Sequence, residues 1–240
     1  MYGEHMDADP DVAGTGALLA DRTRMAFLDE ITANGPQAIG ALARVAGVSA
    51  SVASQHVARL KAGGLVSIRP AGRMRIVSIA SAEVAVALEA LSLISPPKQV
   101  RGLREVSRAE AFRIARSCYD HLAGRLGVGL FDTMLGGGWL VPGGSQAPAV
   151  LDLSAEGEEA FDALGLDVAP LRQGRRALAR SCLDCTERRP HLGGAVGALV
   201  LDVVLERGWL VRGQGRALHL CDKGRRSLTA WLGTDPLTFP

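Results

Sequence analysis

The strongest constraint on this chain is a repeat in its second half, where three stretches recur in the same order. Ala115–Asp120, ARSCYD, returns as ARSCLD at Ala179–Asp184. HLAGRLGVGLFDTMLGGGWLV from His121 returns as HLGGAVGALVLDVVLERGWLV from His191. LDLSAEGEEAFDALG from Leu151 returns as LHLCDKGRRSLTAWLG from Leu218. The second copy inserts CTERRP between its Asp and its His. Duplication is the simplest origin of such a pattern. The copies span about 107–166 and 171–233 of a domain covering 107–240. Each reads as a helix carrying Cys, a helix from near His to near Gly-Trp-Leu, an extended segment and a short last helix. Ser107-Arg108-Ala109-Glu110 fits a capping box at the first helix start, and Pro190 suits the first turn of the second copy's main helix. Leu192, Val196, Leu199 and Val203 would give that helix one buried face. Two such copies are expected to pack about a pseudo-twofold axis, which brings equivalent residues together.

The first half has a different grammar. Residues 1–16 read as a polar tail. Ala17–Ala33 carries an apolar stripe at helical spacing, and Asn34-Gly35-Pro36 stops it. A helix follows at Ile39–Ala46, then Gly47 for a tight turn, then Ser49 as the cap of a third helix to Ala62, closed by Gly63-Gly64. The period then changes. Leu65–Arg69 and Arg73–Ala80 are Val/Ile-rich strands, with Pro70-Ala71-Gly72 expected as the turn between them. The parity of Ile76, Val77 and Ile79 leaves the buried strand face open. Ser81–Leu93 returns to helix, and 95–106 reads as a linker that includes Ser95-Pro96-Pro97-Lys98. Helix, helix, glycine turn, helix and basic hairpin is the order of a winged helix-turn-helix over 17–94.

Charge points the same way. The chain has a net charge of only +2, yet no Asp or Glu occurs from Ile31 to Ala82, where Arg44, Arg59, Lys61, Arg69, Arg73 and Arg75 lie. A local basic field on a near-neutral protein suits phosphate binding. On the third helix the candidate DNA-contacting residues are Ser49, Ala50, Ser51, Val52, Ser54, Gln55, His56 and Arg59. Ser and Gln can bond base edges or phosphates, and Ala50 or Val52 can meet a thymine methyl. On the hairpin, Arg69, Arg73 and Arg75 would hold phosphate or enter the minor groove.

The text LLADRTRMAFLDEI, then IGALARVAGVSASVASQHVARLKAGGLV, then VSIRPAGRMRIVSI resembles the arsenical-resistance-repressor (ArsR) family from about Gly16 to Ile94. The resemblance implies a homodimeric repressor that binds an operator as a twofold protein and leaves it when an inducer binds. It also implies a dimer interface made by Ala17–Ala33 and Ser81–Leu93. Members that sense metal on the helix before the turn carry a cysteine pair there. Ile39–Ala46 contains neither Cys nor His, so that site is absent. Any signal is therefore expected to enter through the second half.

Cys118, His121, Cys182, Cys185 and His191 form the candidate metal or effector cluster there. Cys118 and His121 are three apart, as are Cys182 and Cys185, so each pair would share a face if helical. Thiolate and imidazole suit zinc, cadmium or copper(I), while three thiols suit arsenite. Against this stand buried structural cysteines, a redox thiol switch, and an organic effector in an apolar cavity near Trp139 and Trp209. Cys221 aligns with Ser154 and reads as a small-residue position without a special role, and His219 as solvent-facing.

The fold class expected is mainly α with small β: a winged helix domain, then a duplicated helical domain with two short extended segments. A winged helix serving only protein interaction is the alternative to DNA binding. An enzyme built on Cys118 and His121 is not expected, because no orienting third group or phosphate loop accompanies them. No signal peptide or membrane-spanning run is read, so the expected compartment is the cytoplasm.

Overall fold

The computed structural model describes residues 9–96, 102–144, 149–174 and 176–238. Residues 1–8 of the expected tail and 97–101 of the expected linker lie outside them. The chain forms two compact units, one of residues up to 31 and 36–84, the other of 32–35 and 85–240. Among the described residues no helix is long and apolar enough to cross a membrane.

The first unit opens with α1 (Val12–Leu19) and α2 (Arg22–Asn34). A single helix over Ala17–Ala33 is therefore corrected to two, and residues 12–16 of the expected tail are helical. The physical cause is capping at both breaks. Asp11 accepts from the Gly14 amide at 2.8 Å, and Asp21 accepts from the Arg24 amide at 2.9 Å. The Arg24 side chain donates to the Leu18 and Ala17 carbonyls, satisfying the end of α1.

Strand β1 (Gln37–Ala38) leads into α3 (Ile39–Ala46), which Gly47 ends in the left-handed conformation at φ 66°. Helix α4 (Ala50–Ala62) starts at Ser49, whose hydroxyl accepts from the Val52 amide. Strands β2 (Val66–Ala71) and β3 (Met74–Ile79) pair so that Ala71 faces Met74. The turn is therefore Gly72-Arg73 rather than Pro70-Ala71-Gly72. Gly72, at φ 59°, takes the first turn position, where the tight hairpin turn needs positive φ. Pro70 is tolerated inside β2 because the sheet order β1-β3-β2 makes β2 an edge strand. The strand parity is now fixed, since Val77 and Ile79 are buried. They share the core with Phe27, Leu28, Leu42, Ala53, Val57 and Leu60. Helix α5 (Ala82–Ile94) follows, with Ser81 accepting from the Val84 amide.

The second unit continues with α6 (Leu103–Ile114). Ser107 sits inside this helix and its hydroxyl donates to the Leu103 carbonyl, so the capping-box start is corrected. Next come β4 (Arg116–Cys118), β5 (His121–Ala123), α7 (Gly124–Gly136), β6 (Leu140–Pro142), β7 (Val150–Leu153) and α8 (Ala155–Asp162). After a 3-10 turn at Ala169–Gln173, the same order returns. It runs β8 (Ala179–Leu183), β9 (Pro190–Gly193), α9 (Gly194–Glu206), β10 (Leu210–Arg212), β11 (Leu218–Leu220) and α10 (Asp222–Leu232). Both cysteine segments and both histidines are therefore strand, not helix. Pro190 opens β9 and Leu192 lies on it, while Val196, Val200, Val203 and Val204 supply the buried face of α9. Leu199 is only partly buried.

The runs interlock crosswise. Val150 of β7 pairs with Arg180 of β8, and at the equivalent place Ala217 bridges Arg116. Ser181 donates to the Ala149 carbonyl, just as Ser117 donates to that of Arg216. Leu126, Leu130, Val196 and Val200 fill one apolar core. Burying their apolar surface is the main favourable term holding the runs together.

Candidate nucleic-acid interface and a buried thiol–imidazole cluster

Helix α4 buries Ala53, Val57 and Leu60 against the core, at the spacing of one helical face. The opposite side leaves Ser49, Ala50, Ser51, Val52, Gln55 and Arg59 exposed, with Ser54 half-buried. His56 turns inward instead. Its ring meets Phe27 edge-on at 6.3 Å, and its Nδ1 lies 3.6 Å from the Asp21 carboxylate. Arg69, Arg73 and Arg75 are exposed on the hairpin. Arg75 donates to the Ser54 hydroxyl at 3.3 Å, which ties the hairpin to the exposed side of α4.

In the second unit the hairpin registers set the cluster. Cys118 is the cross-strand partner of His121, and Cys182 is that of His191. The two hairpins then meet. The imidazoles stack at 5.0 Å, and the Cys118 and Cys182 sulfurs lie 3.9 Å apart. One ligand atom from each of the four residues falls within 4.8 Å of the others, and all four residues are buried. Cys185 stands apart, its thiol accepting from Arg116 at 3.1 Å. The spacing of three from Cys182 to Cys185 does not bring them onto one face, because the segment is strand followed by turn.

Glycines permit this approach. A Cβ on Gly127 would sit 2.5 Å from the Leu122 carbonyl and 3.7 Å from the His191 Cβ. At Gly197 the equivalent distances are 2.4 Å to the Leu192 carbonyl and 3.2 Å to the His121 Cβ.

Each histidine faces a carboxylate. His121 Nδ1 lies 3.2 Å from Asp120, and His191 Nδ1 lies 3.6 Å from Asp184. Both Nε2 atoms are buried without a hydrogen-bond partner. Arg176 holds Asp120, and the wholly buried Arg116 holds Asp184 at 2.8 Å. The Cys118 thiol holds the Cys182 thiol well below the ordinary thiol range, helped by both imidazoles and opposed by burial. The same hydrogen bond between the two thiols, with burial, pushes Cys118 up. Burial pulls His121 down, but the hydrogen-bonded Asp120 carboxylate and the nearby Cys182 sulfur outweigh it and raise it, whereas burial lowers His191. Two sulfurs and two imidazoles thus meet in one buried cluster whose ligand atoms are close enough to converge on a single cation.

Trp139 and Trp209 both pack into the apolar core. Cys221 has a role the sequence reading missed. Its sulfur accepts from the Gly224 amide to cap α10, as Ser154 accepts from the Gly157 amide to cap α8. Its alignment with Ser154, followed three residues later by Gly in both copies, was the available signal. His219 is exposed, as expected.

A winged helix-turn-helix joined to a second unit with a buried polar cluster defines a class, and family comparison agrees with it. A family model described as a helix-turn-helix domain matches residues 19–69, and the chain belongs to the helix-turn-helix-type transcriptional regulators. The particular relatives are these. The helix-turn-helix-type transcriptional regulator YdfF of Bacillus subtilis (strain 168) is 33% identical over 218 residues, spanning 90% of this chain and 95% of that protein. The regulator Rv2034 of Mycobacterium tuberculosis is 48% identical over 58 residues, 24% of this chain and 53% of that one. Among solved structures, the homodimeric winged helix-turn-helix DNA-binding domain Mb0332 of Mycobacterium bovis, a possible ArsR-family regulator, is 32% identical. It covers 38% of this chain and 87% of that one at a TM-score of 0.31. NolR of Sinorhizobium fredii is 38% identical, covering 33% and 79% at a TM-score of 0.31.

Proposed function

We propose that this regulator is an ArsR-type homodimeric repressor that binds a pseudo-palindromic operator and is released by an inducer acting on its second unit. One observation carries the DNA-binding part. The exposed side of α4 and the arginines of the hairpin lie in one acid-free stretch, joined by the Arg75–Ser54 bond. A helix of this kind fits the major groove, and a basic hairpin suits the flanking backbone. Ser51, Gln55 and Arg59 are the base-reading candidates; Arg69, Arg73 and Arg75 are the phosphate contacts.

Burial supports the dimer. Helix α1 is apolar, yet none of its residues is buried. Helix α5 is rich in Ala, Val and Leu, yet only Ala85 and Glu89 on it are buried, and Ile94 is 80% exposed. A second copy covering these helices would remove that apolar surface from water. The work of such a protein is on DNA in the cytoplasm, and catalysis forms no part of the reading. The matching element order of the second unit supports a duplicated origin.

The test is duplex binding across a salt series. Arg73→Ala and Arg75→Ala should each weaken binding to all sequences and reduce the salt slope by about one. Gln55→Ala should change sequence preference instead. Absence of duplex affinity at low salt would leave the winged helix as a protein-interaction module.

A further inference from the structure

The buried cluster has the stereochemistry of a cation site, and nothing in the DNA-binding reading uses it. Tetrahedral zinc with Zn–S bonds of about 2.3 Å places two thiolates about 3.8 Å apart. The Cys118 and Cys182 sulfurs are 3.9 Å apart, too far for a covalent bond between them and close to that value. His121 and His191 each keep a buried Nε2 without a hydrogen-bond partner, while Nδ1 faces a carboxylate. At His121, whose Nδ1 hydrogen-bonds Asp120, that is the arrangement by which an outer carboxylate orients a ligating imidazole and fixes its tautomer, whereas His191 Nδ1 lies 3.6 Å from Asp184 without a hydrogen bond. The donor set is two sulfurs and two nitrogens, which selects a borderline-soft cation over magnesium or calcium. With Cys185 bonded to Arg116 instead, the cluster has two thiols, not the three that a trivalent arsenical prefers.

We propose that Cys118, His121, Cys182 and His191 bind one zinc-class divalent cation, and that this cation is the signal of the second unit. The site takes one Cys and one His from each copy, so loading it fixes the two hairpins against each other. Binding displaces the thiol protons to solvent, and both sulfurs then coordinate as thiolates. A chain of contacts leads away from the site. Asp184 beside His191 holds Arg116, whose guanidinium lies 4.7 Å over the Phe112 ring. Arg216 lies 5.3 Å from the same ring and pairs with Glu89, the buried carboxylate of α5. Helix α5 is also an uncovered apolar helix of the proposed dimer. The signalling half of this inference rests on the repressor reading; the binding half stands without it.

The experiment uses the full chain, purified under reducing conditions, stripped with chelator and titrated with cobalt(II). The expected result is uptake of about one ion per chain, with the strong visible absorption of tetrahedral cobalt and a thiolate charge-transfer band, both abolished by zinc. Outer-shell changes typically weaken a site 10–100-fold, so loss of a ligand in Cys118→Ser, Cys182→Ser or His191→Gln should cost about 100-fold or more. Cys185→Ser and Cys221→Ser should bind as the wild type. The wild-type spectrum decides the matter even if a ligand variant fails to fold. No uptake, a weak six-coordinate spectrum, or a requirement for Cys185 overturns the site. So does joining of Cys118 and Cys182 by mild oxidant in a protein that takes up no cation. Operator release by zinc that disappears in Cys182→Ser supports the signal, and DNA affinity indifferent to zinc overturns that half alone. A chain that loads cobalt normally but never binds duplex DNA separates failure of the repressor reading from failure of the site.

Discussion

Asp120 and Asp184 hold equivalent places, each two residues after its copy's cluster cysteine, and they live in different surroundings. Asp120 sits in a two-residue turn between Cys118 and His121, with its side chain 32% exposed and Arg176 as its partner. Burial works against its ionisation, but bonds from His121 and Arg176 hold its carboxyl at about 2. Asp184 is wholly buried. The inserted CTERRP segment wraps around it, so that the Thr186 amide and hydroxyl and the Glu187 amide all donate to it. Burial opposes its charge too, yet Arg116 and these donors keep it well below the ordinary carboxylate range. Its other oxygen accepts from the Gly124 amide at 2.7 Å, where α7 of the opposite copy begins. At the equivalent start of α9, the Ala195 and Val196 amides donate to the Ala177 and Leu178 carbonyls of their own copy. Six extra residues thus turned one carboxylate into a buried strut and left its twin near solvent.

The largest expected effect separates these twins. Asp184→Asn leaves Arg116 charged and buried without its counter-ion and should destabilise the second unit by about 3–5 kcal/mol in denaturant unfolding. Asp120→Asn faces a partner 35% exposed, and its effect should stay within about 1 kcal/mol. Equal losses would mean that the two copies are supported alike. The next effect should be symmetric. Gly127→Ala and Gly197→Ala each drive a methyl into a carbonyl across a matching contact, and each should cost about 1–3 kcal/mol or more. A large difference between them would show that one hairpin yields more easily. The smallest concerns the caps. Ser154→Ala should cost about 1 kcal/mol by losing the α8 cap. Cys221→Ala should cost only about a few tenths, because sulfur is the weaker acceptor, and Cys221→Ser should stabilise. An equal cost for both alanine variants would make the sulfur cap as good as the hydroxyl.

Legibility followed the range of the interactions. Helices α3 and α4 and the capping Ser49 could be read almost to the residue, because Gly47 and Ser49 act locally. The hairpin turn moved from Pro70-Ala71-Gly72 to Gly72-Arg73 because Pro70 looked like a breaker, whereas an edge strand accepts it. The second unit was harder. ARSC and HL are too short to declare a period, and their strand state comes from pairing with distant segments. The repeat still foretold that Cys118 would meet Cys182 and His121 would meet His191. It did not foretell the outer shell, since Arg116 and Asp184 are 68 positions apart and differ from their counterparts only in burial and partners. The exclusion of Cys185 depends on the fold of the insertion, which has no counterpart in the first copy to be read against.

The crosswise strand pairing has an ancestral consequence. Each copy's hairpin leans on the other's, so half of this unit cannot complete its own sheet or its own cluster. A forebear with one copy would have needed an identical twin, and the twin would have returned every contact it received. Under a duplicated origin, fusion would have turned that meeting of two molecules into an intramolecular one, with a local concentration no longer set by the cell. It would also have released the two halves from having to remain identical, a freedom that the insertion around Asp184 in one of them would then express.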